Sequence, residues 1–97
     1  MNTDIDFFSY VSDEAVRREK AKARELRRSR WWKQKLAGGR CHYCGKSVRP
    51  DRLTMDHVVP LIRGGRSTKS NLVPACKECN NKKKYLLPME WDEYLNK

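Results

Sequence analysis

Residues Leu53–Lys83 read LTMDHVVPLIRGGRSTKSNLVPACKECNNKK, and the fold turns on how this stretch is parsed. RLTMDHVV, with Arg52 included, reads as a strand that runs into Pro60 and the pair Gly64-Gly65. NLVPA reads as a second short strand. CKECNNKKKYLL suits a helix and meets no breaker before Pro88. The order is therefore strand, loop, strand, helix. An acid and an imidazole, Asp56 and His57, stand side by side near the end of the first strand. Adjacent side chains of a regular strand point to opposite faces. The two can serve one site only where the strand twists, bulges or ends, and Pro60 fits such an end.

Four cysteines frame this stretch. Cys41-x-x-Cys44 lies upstream and Cys76-x-x-Cys79 downstream, with 31 residues between the pairs. Four soft thiolates make a closed tetrahedral zinc site, which leaves no open coordination position and is therefore structural. Iron–sulfur binding uses the same ligands but suits a basic surface less. His42, inside the first knuckle, reads as an exposed spacer. The chain has 97 residues, 38% hydrophobic and 35% charged, so its core is small and calls for a staple. A structural zinc supplies about 10–16 kcal/mol of apparent folding free energy. No apolar run is long enough for a membrane span or a signal segment. The expected setting is intracellular, the cytoplasm of a bacterium or a phage-infected host. There, paired cysteines hold metal rather than form disulfides.

The formal net charge is +10, unevenly placed. Residues 17–40 carry eleven bases and two acids, and residues 41–88 ten bases and three acids. Such clustering suits a polyanion, most simply nucleic acid. Residues 1–12 form an acidic arm with apolar beads at Ile5, Phe7, Phe8, Tyr10 and Val11. A single helix is expected from Ser12 or Asp13, either of which can cap it, to about Ala37, with Gly38-Gly39 as its stop. Arg17, Lys20, Arg24 and Arg27 share one side of it. Its first half, polar almost all round, is expected to project, with Trp31, Trp32 and Leu36 anchoring the second half. The organisation is thus an arm and basic helix over 1–39 and a second unit over 40–97. A last helix, PMEWDEYLN, starts with Pro88 at its first position. Its Trp91, Tyr94 and Leu95 make a stripe expected in the core.

Asp56-His57, Asn71 fourteen residues on and Asn80 nine further, beside two CxxC pairs, resemble the HNH endonuclease family. The resemblance implies a small α+β fold. Its centre is a ββα-metal (His-Me finger) core, here with a four-cysteine structural zinc and a basic N-terminal helix. His57 matches the general base. Asp56 and Asn80 match the protein ligands of a single divalent ion. Many relatives carry His at that last position, whereas this chain carries Asn80. An all-oxygen set favours magnesium or manganese over zinc. Asn71 matches the residue that hydrogen-bonds the loop backbone and holds the base. Lys83 matches the basic residue of the CNxxK pattern, a candidate phosphate contact for which its neighbours Lys82 and Lys84 are alternatives. Arg63 and Arg66 near the loop are further candidate nucleic-acid contacts.

What the resemblance implies is a metal-dependent DNA endonuclease leaving 5′-phosphate and 3′-hydroxyl ends. The basic helix would hold phosphates with little sequence specificity. The alternative is a catalytically silent, zinc-stapled nucleic-acid-binding module, or an adaptor of phage or mobile-element machinery. With one site per chain, double-strand cleavage calls for a homodimer, a larger partner or two sequential nicks.

Overall fold

The structure is a computed structural model and describes residues 11–96. The acidic arm lies outside the described residues except for Val11 and Ser12. Helix α1 spans Asp13–Arg27. Ser12 caps it, its hydroxyl accepting the Ala15 N–H at 3.0 Å. Asp13 and Glu14 occupy the first turn and Arg24 and Arg27 the last, as the helix dipole favours.

The single helix expected to Ala37 is two. Helix α2 spans Arg30–Ala37. Ser29 makes the break: its Oγ donates to Leu26 O at 2.6 Å and accepts the Trp32 N–H at 3.2 Å. One short polar side chain closes the first helix and caps the second. The two segments then dock separately. α2 packs on the turn Pro50–Arg52 and on strand β2 (Leu72–Cys76), burying Trp32. α1 packs on the turn Leu61–Arg63, burying Ala23 and Glu19. Its first half therefore does not project, because Glu19 finds main-chain partners in the loop.

Strand β1, Leu53–His57, pairs antiparallel with β2 in unbroken register from Leu53↔Cys76 to His57↔Leu72. These two strands make a two-stranded sheet. Every residue of β2 is buried. Pro74, which has no N–H for a ladder, accepts the His42 N–H at its carbonyl, 2.8 Å away, so the first knuckle docks there. Helix α3, Lys77–Lys83, packs on both strands. It stops earlier than expected, with Lys84 at φ 49° and the Leu86 N–H on Lys83 O. The turn brings Leu86 and then helix α4, Pro88–Leu95, onto the core. That core joins Cys41, Ala75, Cys76, Cys79 and Trp91, with Tyr43, Val48 and Leu86 against it. Of the expected stripe on α4 only Trp91 is buried; Tyr94 and Leu95 are exposed, Tyr94 stacked on the Trp91 ring. No helix among the described residues is long and apolar enough to cross a membrane.

The connection between the strands is tightly folded. A Cβ on Gly65 would lie 1.8 Å from Val59 O, and the Gly65 N–H already donates to Pro60 O. Gly65→Ala must displace backbone, since no flexible side chain can give way. It is expected to cost at least about 1–3 kcal/mol, read as a lowered unfolding midpoint; an unchanged midpoint would contradict this loop geometry.

Candidate metal centre and catalytic cluster

The four cysteine sulfurs come from two places. Cys41 and Cys44 sit on a knuckle closed by Cys41 N–H to Lys46 O and Gly45 N–H to Cys41 O, with Gly45 at φ 71°. Cys76 ends β2 and Cys79 lies one turn into α3. All four Sγ atoms lie within 4.8 Å of one another, and Cys44 and Cys76 are 3.9 Å apart. A tetrahedron with Zn–S bonds of 2.3 Å has edges of about 3.8 Å, so the cluster could hold a zinc ion. Burial alone would raise the Cys41 thiol. Main-chain hydrogen bonds from Cys76, Cys44 and Tyr43 outweigh it and bring the group down to about 7. Cys79 moves up instead, through burial, hydrogen bonds with Cys76 and Cys44, and the charge of Cys41. Sulfurs this close all ionise only beside a cation.

Asp56 and His57 occupy the last two positions of β1, so the pleat sends their side chains to opposite faces. The register contains no bulge, and the strand ends at His57. On the Asp56 face lies α3. Lys83 is fully buried, its Nζ 3.1 Å from Asp56 Oδ2 and 3.0 Å from His57 O. The Tyr43 hydroxyl donates to the same Oδ2. Burial first, then this hydrogen bond and the Asp56 charge, hold the Tyr43 phenol far above its ordinary value, so it stays a donor. One turn earlier on α3, Asn80 Nδ2 donates to Thr54 Oγ1 at 2.9 Å, and Thr54 Oγ1 donates to Ala75 O at 3.0 Å. Thr54 and Asp56 share a face of β1, so Asn80 and Lys83 lie side by side along it.

The expectation that Lys83 binds phosphate does not fit this placement. Moving its ammonium outward would leave the buried Asp56 carboxylate uncompensated. Arg63 is likewise turned inward, holding Glu90 through both guanidinium Nη atoms at 2.9 and 3.3 Å. Lys82 is exposed and pairs with Glu78 at 3.0 Å, while Lys84 and Arg66 are exposed. Arg17, Lys20, Arg24 and Arg27 are exposed on α1, and Arg27 reaches back to within 3.9 Å of Met55 Sδ on β1.

On the other face, His57 Nε2 lies 2.9 Å from Ser67 Oγ. Ser67 donates its hydroxyl to Glu19 O, and its N–H donates to Glu19 Oε1 at 2.7 Å. Asn71 laces the loop: its Oδ1 accepts the Val59 N–H at 2.8 Å, and its Nδ2 donates to Val59 O and Arg66 O. Burial pushes the His57 pKa below the ordinary histidine value. The charges of Asp56 and Glu19 oppose that shift, while Lys83 and Arg27 add to it. Burial thus favours the neutral ring, whose bare nitrogen can accept a proton. Sequence reading missed Tyr43, Ser67 and Glu19. Tyr43 was marked only by its place between two cysteines, and Glu19 by nothing among so many charges.

The model of the HNH endonuclease family matches residues 41–85. The CRISPR-associated endonuclease Cas9 of Corynebacterium diphtheriae is 41% identical over 44 residues. That match covers 44% of this chain and 4% of that protein. The matched segment begins at the first zinc-knuckle cysteine, contains both strands and α3, and excludes α1 and α2. The likeness to HNH endonucleases thus rests on residues 41–85, from the first knuckle to the turn after α3.

Proposed function

We propose that this protein is a metal-dependent endonuclease that hydrolyses DNA phosphodiester bonds, with His57 as general base. The observation that carries the reading is an intact set of Asp56, His57, Asn71 and Asn80 on a ββα frame within the family-matched segment. His57 takes a proton from a water that attacks phosphorus in line with the 3′ oxygen. The new P–O bond forms as the P–O3′ bond breaks, leaving a 5′-phosphate, and the 3′ oxygen takes a proton from solvent. Asp56 and Asn80 are the residues that would hold a divalent ion. Tyr43 and Lys83 both contact Oδ2 of Asp56, so Oδ1 is the atom it would offer. Asn80 would offer its amide oxygen, since Nδ2 is committed to Thr54. Two oxygens suit magnesium or manganese. When bound, such an ion supplies charge neutralisation at the phosphate and at the leaving oxygen. Asn71 keeps the loop closed over the strand end. In this reading residues 1–39 supply the charges that hold DNA, through Arg17, Lys20, Arg24 and Arg27, and residues 40–97 supply the zinc-stapled nuclease unit. Lys82, Lys84 and Arg66 extend the phosphate-binding surface. The setting would be intracellular, where the four cysteines stay reduced.

The buried Lys83–Asp56 pair favours a second reading, because an ammonium already balances the carboxylate that would hold the ion. A binding module or adaptor without catalysis would keep that pair permanently. Supercoiled plasmid incubated with the protein in magnesium, manganese or EDTA decides between them. Nicking with either ion and none in EDTA is expected. Tight binding without nicking under any condition would leave the binding module.

A further inference from the structure

We infer that helix α1, outside the family-matched segment, completes the active site: Glu19 and Ser67 are positioning residues that hold His57 with its hydrogen on Nε2 and its lone pair on Nδ1. This rests on the reading of His57 as the base. A main-chain carbonyl can only accept, so the single hydroxyl hydrogen of Ser67 is committed to Glu19 O. Toward His57 the Ser67 oxygen is then an acceptor, and Nε2, 2.9 Å away, must be the donor. The partner of one ring nitrogen decides which nitrogen keeps the lone pair. The serine is pinned from both sides. Its N–H is held by the Glu19 carboxylate, and the carbonyl of Arg66 before it is held by Asn71 Nδ2 at 2.8 Å. Ser67 and Glu19 are 5% and 9% exposed, so water competes little for these groups.

A residue 48 positions from Ser67 in sequence thus holds the serine that orients the base.

The test uses the full chain with zinc. The sequence has two histidines, His42 and His57, so ring nitrogen resonances of 15N-labelled protein are assigned with a His42→Ala control. In wild type the neutral His57 ring is expected to be protonated at Nε2. In Ser67→Ala it is expected to become a mixture of tautomers. The kcat for plasmid nicking should fall about 10- to 100-fold, by analogy with the loss of a group that orients a metal-bound histidine, with KM for DNA little changed. Ser67→Thr, which keeps the hydroxyl, should restore both readouts. Glu19→Gln, which keeps an acceptor oxygen for the Ser67 N–H and the same main-chain carbonyl, should preserve the tautomer. A wild-type ring protonated at Nδ1 would overturn the inference, as would a Ser67→Ala protein with wild-type tautomer and kcat. The ring measurement does not depend on cleavage. A chain that never nicks yet shows the serine-dependent Nε2–H form would refute the nuclease reading and leave the clamp standing.

Discussion

His57→Ala is expected to reduce metal-dependent nicking by about 10²–10⁴-fold, the usual contribution of a positioned general base. DNA affinity should be almost unchanged. The two effects separate because different atoms carry them. In the proposed mechanism proton transfer would use the His57 ring, which sits at the end of β1 against Ser67. Binding, as proposed, would draw on exposed bases of α1 such as Arg17, Lys20 and Arg24, which lie on another element. The substitution leaves the loop anchored, since Ser67 keeps both of its bonds to Glu19 and Asn71 keeps its three. Folding should therefore survive, checked by an unfolding melt beside the nicking and binding measurements. Full nicking by the variant would remove His57 from the chemistry.

Stripping the four-cysteine cluster of metal should unfold the protein outright. Three of its cysteines, Cys41, Cys76 and Cys79, belong to the same buried cluster as Ala75 and Trp91. The metal would therefore sit inside the core it stabilises. Apparent zinc-binding energies of about 10–16 kcal/mol match or exceed the whole stability of a typical domain, about 5–15 kcal/mol. The buried Trp32 and Trp91, 2% and 3% exposed, report the event through their fluorescence. Addition of a strong chelator should shift that emission to the solvent-exposed range and abolish the helical circular dichroism, and added zinc should restore both. Cys76→Ser should behave as the stripped protein does. Retained structure in excess chelator, with less than one metal per chain at the start, would show that the apolar contacts suffice.

Much of this architecture is local and was legible in the chain. Ser12 as a cap, Gly38-Gly39 as a stop and Pro88 at a helix start act through their own backbone neighbours, and the helix ends fall where they indicate. The two short strands and the spacing of the cysteines were also readable, because a pleat and a tetrahedral ligand set impose short, regular patterns. Ser29 was the local signal passed over. Its competition for the backbone breaks the long helix, although propensity alone would carry it through.

What composition could not give was direction. Lys82, Lys83 and Lys84 are identical in sequence terms, yet Lys83 alone is buried against Asp56. The helix phase of α3 on the sheet decides this, and that phase follows from Cys79 having to face Cys41 and Cys76. Tyr94 and Leu95 stay exposed because Trp91 alone fills the space α4 covers beside the cysteine cluster. The four clustered cysteines, the strand–loop–strand–helix order and the Asp56-His57 pair could all be read from local spacing. The meeting of Glu19 and Ser67 across 48 residues, beside the His57 ring, came from the packing of α1. That contact depends on how α1 docks on the loop, a property of packed surfaces that no short-range pattern encodes.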